Sequence, residues 1–297
     1  MLTIGSRGSQ LALWQAHFIA GQLAEAGVES QIEIIKTTGD HLQTASLTQA
    51  GGKGLFTKEI EEALLAGHID LAVHSLKDLP TESPQGLTIA AVPVRANPFD
   101  VIVGERLADL ERGAKVGTSS PRRAAQLRLL RPDLRIAAIR GNVDTRLRKQ
   151  ESGEFDAILL AAAGLERLGL ADKIAQVFSA EQICPAPGQG ALGIQTRLDG
   201  DAIEICRRLN HEPSNQAVRA ERAVLAGLGG GCQLPVGAYA VVDGGELTVS
   251  GVVVERGRPL IVQAQTTGNA RDAEDLGRWV AQELLWQGAE EMLKPEE

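Results

Sequence analysis

Short β-rich segments alternate with helix-patterned segments over the first two thirds of the chain. The first stretch predicts strand, helix, strand, helix and strand in turn, at Leu2–Ile4, Ser9–Ala26, Ile32–Ile35, Phe56–Gly67 and Asp70–Ser75. Gly27 marks the end of the first helix, because glycine commonly follows a helix C-terminus. This alternation is typical of βαβ units.

The same order of elements repeats further along the chain. The repeat predicts a strand at Lys115–Thr118, a helix from about Pro121, a strand at Arg135–Ile139, a helix after Asn142 and a strand at Asp156–Ala161. A crossover lies near residues 93–105, and a return near 185–195 leads into another strand. We therefore expect two hinged α/β domains with a cleft between them.

The pattern changes from Gly237 onwards. Three β-rich runs follow, at Ala238–Val242, Glu246–Val254 and Pro259–Gln265. A turn at residues 243–245 separates the first two, and a helical pattern runs from about Ala270 to Met292. These elements predict antiparallel strands closed by a helix, in a small α+β third domain.

Composition is that of a globular protein. The chain has 297 residues, of which 43% are hydrophobic and 23% charged, and no apolar run approaches the ~18 residues of a transmembrane helix. The first residues lack the pattern of a signal peptide, so we expect a cytoplasmic protein. Three widely spaced cysteines and five histidines show no metal-binding spacing, so no metal site is expected.

Charge is unevenly distributed along the chain. The net charge is −8, yet residues 112–149 hold eleven Lys or Arg against two Asp, a local balance of +9 that leaves −17 for the remainder. A basic segment in an acidic protein favours an anionic partner held in a focused field. Scarce aromatic residues, 3% of the chain, and the absence of nucleic-acid-binding motifs favour a small polyanion over nucleic acid.

The segment VGTSSPRR, residues 116–123, combines a strand end with the start of a helix. Ser120 stands where an N-cap is expected, and Pro121 occupies the favoured first helical position. Arg122 and Arg123 in a first turn oppose the helix dipole, but a bound anion would be stabilised by the free N–H groups and both guanidiniums. The alternative is a solvated surface pair.

Cations at strand ends occur in two further segments. In IRGNVDTRLRK, Arg140 ends a strand and Arg146 lies on the next helix, at the edge where open α/β sheets bind ligands. In SRGS, Arg7 follows the opening strand and Ser9 lies near the next helix start. A basic helix face is the alternative for the first segment, and the repetition favours binding.

The segment HSLKDLP follows a strand directly. Lys77 and Asp78 form either a surface ion pair, worth under about 1 kcal/mol, or an acid and a cation at the mouth of the cleft. His74 is expected to be a structural residue.

Two glycine-rich motifs resemble nucleotide-binding loops but lack the required context or residues. GQGALG (Gly188–Gly193) precedes a strand instead of joining a strand to a helix, and AGGKGLF (Ala50–Phe56) lacks two residues of a phosphate-binding loop. Neither predicts nucleotide binding. Lys53, within the second motif, is expected to be a mobile cation that closes over a ligand.

Cys232 follows three consecutive glycines in GLGGGCQLPVG (Gly227–Gly237). Glycine allows backbone to approach a bound group closely and to adopt positive φ, so this loop predicts room for such a group. Cys232 is either an inert thiol, as expected for Cys184 and Cys206, or a nucleophile or covalent anchor.

Together these segments resemble the porphobilinogen deaminase (hydroxymethylbilane synthase) family of tetrapyrrole biosynthesis. The resemblance covers essentially the whole chain, in the family's order, and rests on SRGSQLALWQA, GGKGLFTKEIE, DLAVHSLKDLP, GTSSPRRAAQL, RGNVDTRL, DAILLAAAGLERLG, PGQGALG and ERAVLAGLGGGCQLPVG. It implies a dipyrromethane cofactor in thioether linkage to Cys232, and two domains similar to type II periplasmic binding proteins beside a third that presents the cysteine.

The resemblance also implies the reaction. Porphobilinogen loses ammonia to give an azafulvene, which the α-carbon of the terminal pyrrole attacks. Four additions and a hydrolysis then release 1-hydroxymethylbilane.

Site roles follow from the resemblance residue by residue. Asp78 is implied as the catalytic acid, near the pyrrole nitrogens and also in contact with the cofactor. The other residues implied to hold the cofactor are Cys232, Lys77, Thr118, Ser119, Ser120, Arg122, Arg123 and Arg140. Those implied to bind substrate carboxylates or line the site are Arg7, Ser9, Lys53, Arg140, Arg146, Arg167 and Gln189.

We expect an α/β domain over 1–94 with 191–209, a second over 97–188, and the α+β domain over 213–297. Porphobilinogen is the expected partner, with no nucleic acid, membrane or obligate protein partner, and the family resemblance suggests a monomer. The main rival is a non-enzymatic receptor for a small polyanion, which gives no role to Asp78 or to the glycine-flanked cysteine.

Overall fold

The structure is a computed structural model that describes residues 1–38, 57–230, 234–255, 258 and 260–294. Two predicted site residues, Lys53 and Cys232, lie outside the described residues. Spatial contacts divide the chain into two compact units, residues 1–96 with 191–215 and residues 97–190 with 216–297.

The elements are numbered along the chain. The strands are β1 (Leu2–Ser6), β2 (Ser30–Ile34), β3 (Leu71–Ser75), β4 (Leu87–Ala91), β5 (Asp100–Gly104), β6 (Lys115–Gly117), β7 (Arg135–Ala137), β8 (Ala157–Ala161), β9 (Ile174–Val177), β10 (Leu192–Arg197), β11 (Val236–Asp243), β12 (Glu246–Val254) and β13 (Ile261–Asn269). The α-helices are α1 (Gln10–Glu25), α2 (Lys58–Leu65), α3 (Pro121–Leu130), α4 (Val143–Glu151), α5 (Ala162–Arg167), α6 (Ala202–Arg207), α7 (Glu212–Gly227), α8 (Ala273–Trp286) and α9 (Ala289–Leu293).

The first unit contains a five-stranded sheet in the order β2-β1-β3-β10-β4. β1 runs parallel to β2 and β3, whereas β10 runs antiparallel to β3 and β4. Ile19 and Leu23 of α1 are fully buried in one apolar cluster with Ile4 and Ile194 of the sheet. Full burial of each such side chain stabilises the fold by about 1.5–3 kcal/mol, which fixes α1 on the sheet.

Helix α1 begins and ends as its sequence predicts. Ser9 is the N-cap, in extended backbone, and its hydroxyl accepts a hydrogen bond from the Ala12 N–H at 3.3 Å. Gly27 follows the helix at φ +77°, a conformation that glycine adopts at little cost.

The second unit contains a five-stranded sheet in the order β7-β6-β8-β5-β9. β6 runs parallel to β7 and β8, and β5 runs antiparallel to β8 and β9. The antiparallel register pairs Asp100, the first residue of β5, with Ala161, the last residue of β8. Asp100 therefore lies at the edge of the sheet where the parallel strands end.

The second unit also contains a three-stranded antiparallel sheet in the order β11-β12-β13. Its core joins Val249 of β12, Val224 of α7, and Val280 and Leu284 of α8, all fully buried. The turn predicted at residues 243–245 joins β11 to β12, with both glycines at positive φ.

The single helix predicted from about Ala270 to Met292 is wrong. A short 3₁₀ turn at Ala270–Asp272 precedes α8, and Gly288 at φ +97° separates α8 from α9. The Gly288 N–H donates to the Leu285 carbonyl at 2.9 Å, which ends α8 in the manner of a left-handed C-terminal cap.

The α/β fold class with a small C-terminal α+β part is thus confirmed. The exact division into domains over 1–94 with 191–209, 97–188 and 213–297 stays a prediction, because spatial contacts group residues 97–190 with residues 216–297.

Candidate functional site

The described site residues lie at two sheet edges, one in each unit. In the second unit β6, β7 and β8 are parallel, so their carboxyl ends share an edge. The segment 118–120 follows β6, and Arg140 follows β7. Helix α5 follows β8 and ends at Arg167. Ligands of open α/β sheets bind outside such carboxyl ends.

Hydroxyl groups surround the start of α3. Ser120 is the N-cap and its Oγ accepts a hydrogen bond from the Arg123 N–H at 3.4 Å, with Pro121 at the first helical position. The Ser120 N–H donates to Thr118 Oγ1 at 3.2 Å, and Ser119 Oγ donates to the Ile139 carbonyl at 2.6 Å. This helix start, predicted from the sequence, has a dipole whose positive end favours an anion.

The two arginines that follow are buried, so the alternative of a solvated surface pair is excluded. Arg122 and Arg123 are 3% and 6% exposed. Both contact Asp100, which is fully buried: Arg122 Nη1 lies 2.6 Å from Oδ2, and Arg123 Nε lies 2.7 Å from Oδ1. Two guanidiniums and one carboxylate leave this buried cluster with a charge of +1.

Sequence reasoning did not identify Asp100. Burial opposes its ionisation, but Arg122, Arg123 and a hydrogen bond from Gln189 hold the pKa of this carboxyl far below its usual range. It is therefore a permanent anion that fixes both guanidiniums. The one available signal was its position at the start of an apolar strand.

Gln189 lies in the segment that precedes β10, and Arg167 contacts that segment. Gln189 is 1% exposed, and its amide nitrogen donates to the Pro98 carbonyl at 2.7 Å and to Asp100 Oδ1 at 3.0 Å. Arg167 Nη2 donates to the Gly190 carbonyl at 2.8 Å. Burial lowers the pKa of Arg167 to about 10, so the guanidinium stays charged at neutral pH.

Arg140 and Arg146 differ in exposure. Arg140 is exposed just beyond β7, and Arg146 is half-buried on the first turns of α4. Arg146 Nε donates to the Gly141 carbonyl at 2.8 Å, which holds its side chain against the loop that connects β7 to α4.

The first unit has a corresponding edge at the carboxyl ends of β1 and β3. Arg7, half-buried, follows β1, and Ser9 caps α1 beside it. Lys77 and Asp78 follow β3 within a 3₁₀ turn that Leu76 anchors by full burial. Lys77 is half-buried and Asp78 is exposed, so the carboxylate of Asp78 is accessible to a ligand.

His74 has the structural role predicted for it. Its Nε2 lies 3.0 Å from Gln195 Oε1, and Gln195 Nε2 donates to Glu61 Oε1 at 3.1 Å. Burial lowers the pKa of His74 to about 4, and the charge of Arg7 acts in the same direction. The imidazole is thus neutral at physiological pH, and burial raises the pKa of Glu61.

The glycines before Cys232 have local structural roles of their own. A Cβ at Gly227 would lie 2.5 Å from Ala281 Cβ, so this glycine allows α7 and α8 to pack closely. Gly229 and Gly230, at φ +94° and +60°, end α7. Gly230 N–H donates to the Leu225 carbonyl at 2.9 Å.

Two other classes of site receive no support from the described ranges. Among these residues no group of three or more His, Cys, Asp or Glu side chains is arranged to hold a metal ion. No helix within them has the length and apolarity needed to span a bilayer.

Two family models match the chain in sequence. Residues 2–204 match "porphobilinogen deaminase, dipyromethane cofactor binding domain", and residues 215–286 match "porphobilinogen deaminase, C-terminal domain". The chain belongs to the porphobilinogen deaminase family. This assignment confirms the predicted resemblance, and with it the expected transferase activity of tetrapyrrole biosynthesis and the dipyrromethane cofactor.

Curated relatives agree with this assignment. The chain is 49% identical over 300 residues to porphobilinogen deaminase of Thermus thermophilus, covering 99% of this chain and 98% of the relative. It is 46% identical over 297 residues to the enzyme of Geotalea uraniireducens, covering 98% of this chain and 93% of the relative.

Similar solved structures include periplasmic proteins. A periplasmic substrate-binding protein from Coxiella burnetii is 14% identical, with a TM-score of 0.44, and covers 75% of this chain and 97% of its own. The solute receptor DctP7 from Bordetella pertussis is 12% identical, with a TM-score of 0.42, and covers 75% and 81%. At these TM-scores the likeness carries no argument about function.

The described residues suit a cofactor that carries carboxylates. Arg122 Nε is buried and has no hydrogen-bond partner among the described residues, and it belongs to a buried cluster of charge +1. A carboxylate at this edge would satisfy such a donor and balance the charge.

Proposed function

We propose that this chain is a hydroxymethylbilane synthase whose two described sheet edges bind the carboxylates of porphobilinogen and of the chain that grows from it. In each condensation the C–N bond of an aminomethyl group breaks and ammonia leaves. A C–C bond forms to a neighbouring pyrrole α-carbon, which loses a proton. The observation that carries the proposal is the match to the cofactor-binding domain over residues 2–204, together with the clustered cations of the second unit.

We assign the cofactor to Cys232 and to the hydroxyl and guanidinium groups of the second unit. Bound there, dipyrromethane supplies the pyrrole α-carbon to which the first substrate unit is added. Its carboxylates would be held by Thr118, Ser119 and Ser120 at the start of α3, by Arg140 and Arg123, and by Arg122, whose Nε has no partner among the described residues. The positive end of a helix dipole and arginine side chains are both suited to carboxylates.

Substrate carboxylates are assigned to the remaining cations. In the first unit these are Arg7 and Lys53, with the hydroxyl of Ser9. In the second unit Arg146 and Arg167 contribute, with Arg140, and Gln189 fixes the local geometry through Asp100. Because each added pyrrole brings two carboxylates, a single cation could not balance the growing product, and several are needed.

Asp78 is assigned as the catalytic carboxylate, with Lys77 beside it as a cofactor contact. Its exposure at the end of β3 allows direct contact with the reacting groups. A fixed negative charge there would stabilise the positive charge that develops on the substrate pyrrole during deamination and coupling. A non-enzymatic receptor would have no use for this group.

Porphobilinogen is the partner that this proposal requires. We infer no nucleic-acid, membrane or obligate protein partner, and a monomer suffices for the assigned residues. We place the enzyme in the cytoplasm because Cys184 and Cys206 are free thiols, as is usual for reducing compartments.

Reaction stoichiometry tests the proposal. The purified protein should consume four molecules of porphobilinogen and release four of ammonia for each hydroxymethylbilane formed. Binding of porphobilinogen without ammonia release would support the receptor alternative and overturn the proposal.

A further inference from the structure

The second unit contains a buried acid, Asp100, that is not among the residues assigned to contact cofactor or substrate. Asp100 is fully buried at the first position of β5. Antiparallel pairing places it opposite Ala161, where β8 ends. It therefore lies at the same edge as the start of α3, although it comes from a strand that runs in the opposite direction.

Asp100 divides its two oxygens between two arginines. Oδ2 accepts from Arg122 Nη1 at 2.6 Å, and Oδ1 accepts from Arg123 Nε at 2.7 Å. Backbone carbonyls contact both arginines as well. Arg122 Nη1, the same nitrogen that contacts Asp100, also donates to the Cys184 carbonyl, and Arg123 Nη1 donates to the Leu159 carbonyl at 3.2 Å. Each guanidinium thus contacts Asp100 and a backbone carbonyl.

The carboxylate is itself held in place. Gln189 donates to Asp100 Oδ1 at 3.0 Å, and the adjacent Gly188 N–H donates to Glu221 Oε2 at 2.7 Å. Glu221 is fully buried on α7, and its other oxygen accepts from the Ala240 N–H at 2.8 Å. The position of Asp100 therefore depends on the segment before β10 and on α7, the helix that precedes Cys232 in the chain.

Charge balance explains why an acid is needed here. Two buried guanidiniums without a counter-ion would repel each other and turn toward water. Asp100 neutralises one of the two charges and leaves a net +1 for a ligand. Arg122 Nε, buried and without a partner among the described residues, is a donor oriented by the same contact.

We propose that Asp100 is a positioning residue for cofactor binding: it orients the Arg122 and Arg123 guanidiniums so that they can hold a carboxylate of the dipyrromethane. This inference rests on the proposed function. Asp100 acts through the arginines, and its own carboxylate is already occupied by them.

Cofactor loading of the apo-protein tests this role. Each variant is purified from a host that makes no porphobilinogen, then mixed with porphobilinogen, and its intact mass is followed over time. Asp100→Asn removes the charge at nearly constant shape, and Asp100→Glu keeps the charge but moves it by one methylene. Asp133→Asn is the matched control, because it breaks an Arg–Asp pair of the same unit, Arg131–Asp133 at 2.8 Å, that lies on the far end of α3.

Both Asp100 variants should load about tenfold more slowly or worse, since small misplacements of binding groups are costly, while Asp133→Asn loads normally. Thermal unfolding of each variant separates folding from loading. Normal loading by a folded Asp100→Glu or Asp100→Asn protein would overturn the inference. Failure of both Asp100 variants to fold would assign Asp100 to stability alone and would also overturn it.

Loading of the protein without substitutions distinguishes this inference from the proposed function. If the protein without substitutions gains no dipyrromethane, the proposed function fails. If it loads and the Asp100 variants load equally well, only the inference about Asp100 fails.

Discussion

Replacing Arg123 with lysine tests whether guanidinium geometry, and not only positive charge, is required at the start of α3. In the structure Arg123 contacts Asp100 through Nε and Nη2, both at 2.7 Å, and the Leu159 carbonyl through Nη1 at 3.2 Å. Its Nη2 also lies 3.5 Å from Gln189 Oε1. A lysine ammonium is a compact group that cannot reach these partners together.

The expected loss follows from the contacts that lysine cannot replace. If the ammonium keeps Asp100, the hydrogen bonds to Leu159 and Gln189 are lost. Hydrogen bonds to charged groups contribute roughly 1.5–3 kcal/mol each, and the Gln189 contact is long, so we expect Arg123→Lys to lower the free energy of unfolding by about 2–4 kcal/mol. Cofactor loading should be impaired as well, because the bidentate fork is gone.

Urea unfolding and intact mass after incubation with porphobilinogen measure the two effects. Arg128→Lys is the matched control, because Arg128 is exposed on the same helix and surface substitutions usually change stability by less than about 0.5 kcal/mol. An Arg123→Lys protein as stable as this control, with normal loading, would refute the reasoning.

Three further changes have defined outcomes. Asp78→Asn should fold and keep part of its cofactor but lose about 10²-fold or more in single-turnover rate. Glu82→Gln, which changes an exposed acid nearby in the chain, should not lose this rate. A surface Lys77–Asp78 pair would instead predict little change in the rate of Asp78→Asn. The pKa of His74 is about 4 in the folded state against its usual value of 6.5, so this residue should contribute stability that is present above pH 6.5 and is lost as the pH falls toward 4, by roughly 3 kcal/mol. In urea unfolding from pH 4 to 7, the free energy of unfolding should therefore rise with pH, and His74→Gln should remove that slope. An unchanged slope in the variant would contradict the assignment. Gly227→Ala should destabilise the fold by about 1–3 kcal/mol, because the new Cβ would lie 2.5 Å from Ala281 Cβ, whereas Gly21→Ala on α1 meets no atom within 4 Å and should be neutral or stabilising.

The local signals in the sequence were sufficient for the strand ends and helix starts. Ser9, Ser120 and Pro121 occupy the cap positions that their residue types predict, because capping depends on a few consecutive residues. The GQGALG motif precedes a strand, β10, as predicted, and so lacks the strand-to-helix context of a dinucleotide-binding loop.

Partners distant in sequence could not be predicted in the same way. Asp100 contacts Arg122 and Arg123 only because antiparallel β5 begins at the edge where β6 and β8 end, and no local sequence pattern predicts that contact. Glu221 is likewise a buried acid whose partners, Gly188 and Ala240, lie on other elements.

Two glycines show why residue type alone is ambiguous. Gly227 begins the segment GLGGGCQLPVG, which predicts room for a bound group, but it is the last residue of α7 and allows close contact with α8. Gly288, at positive φ, divides in two the helix predicted from about Ala270 to Met292, because the apolar pattern continues past this glycine.

Intact mass of the purified protein tests the central claim most directly. Protein from a host that makes porphobilinogen should be heavier than its sequence by one dipyrromethane, and Cys232→Ser should remove that increment. Burial raises the pKa of Cys184 and Cys206 to about 12, so neither thiol should carry the group. The account would be contradicted if the protein without substitutions had only the mass of its sequence, or if the dipyrromethane increment persisted in Cys232→Ser.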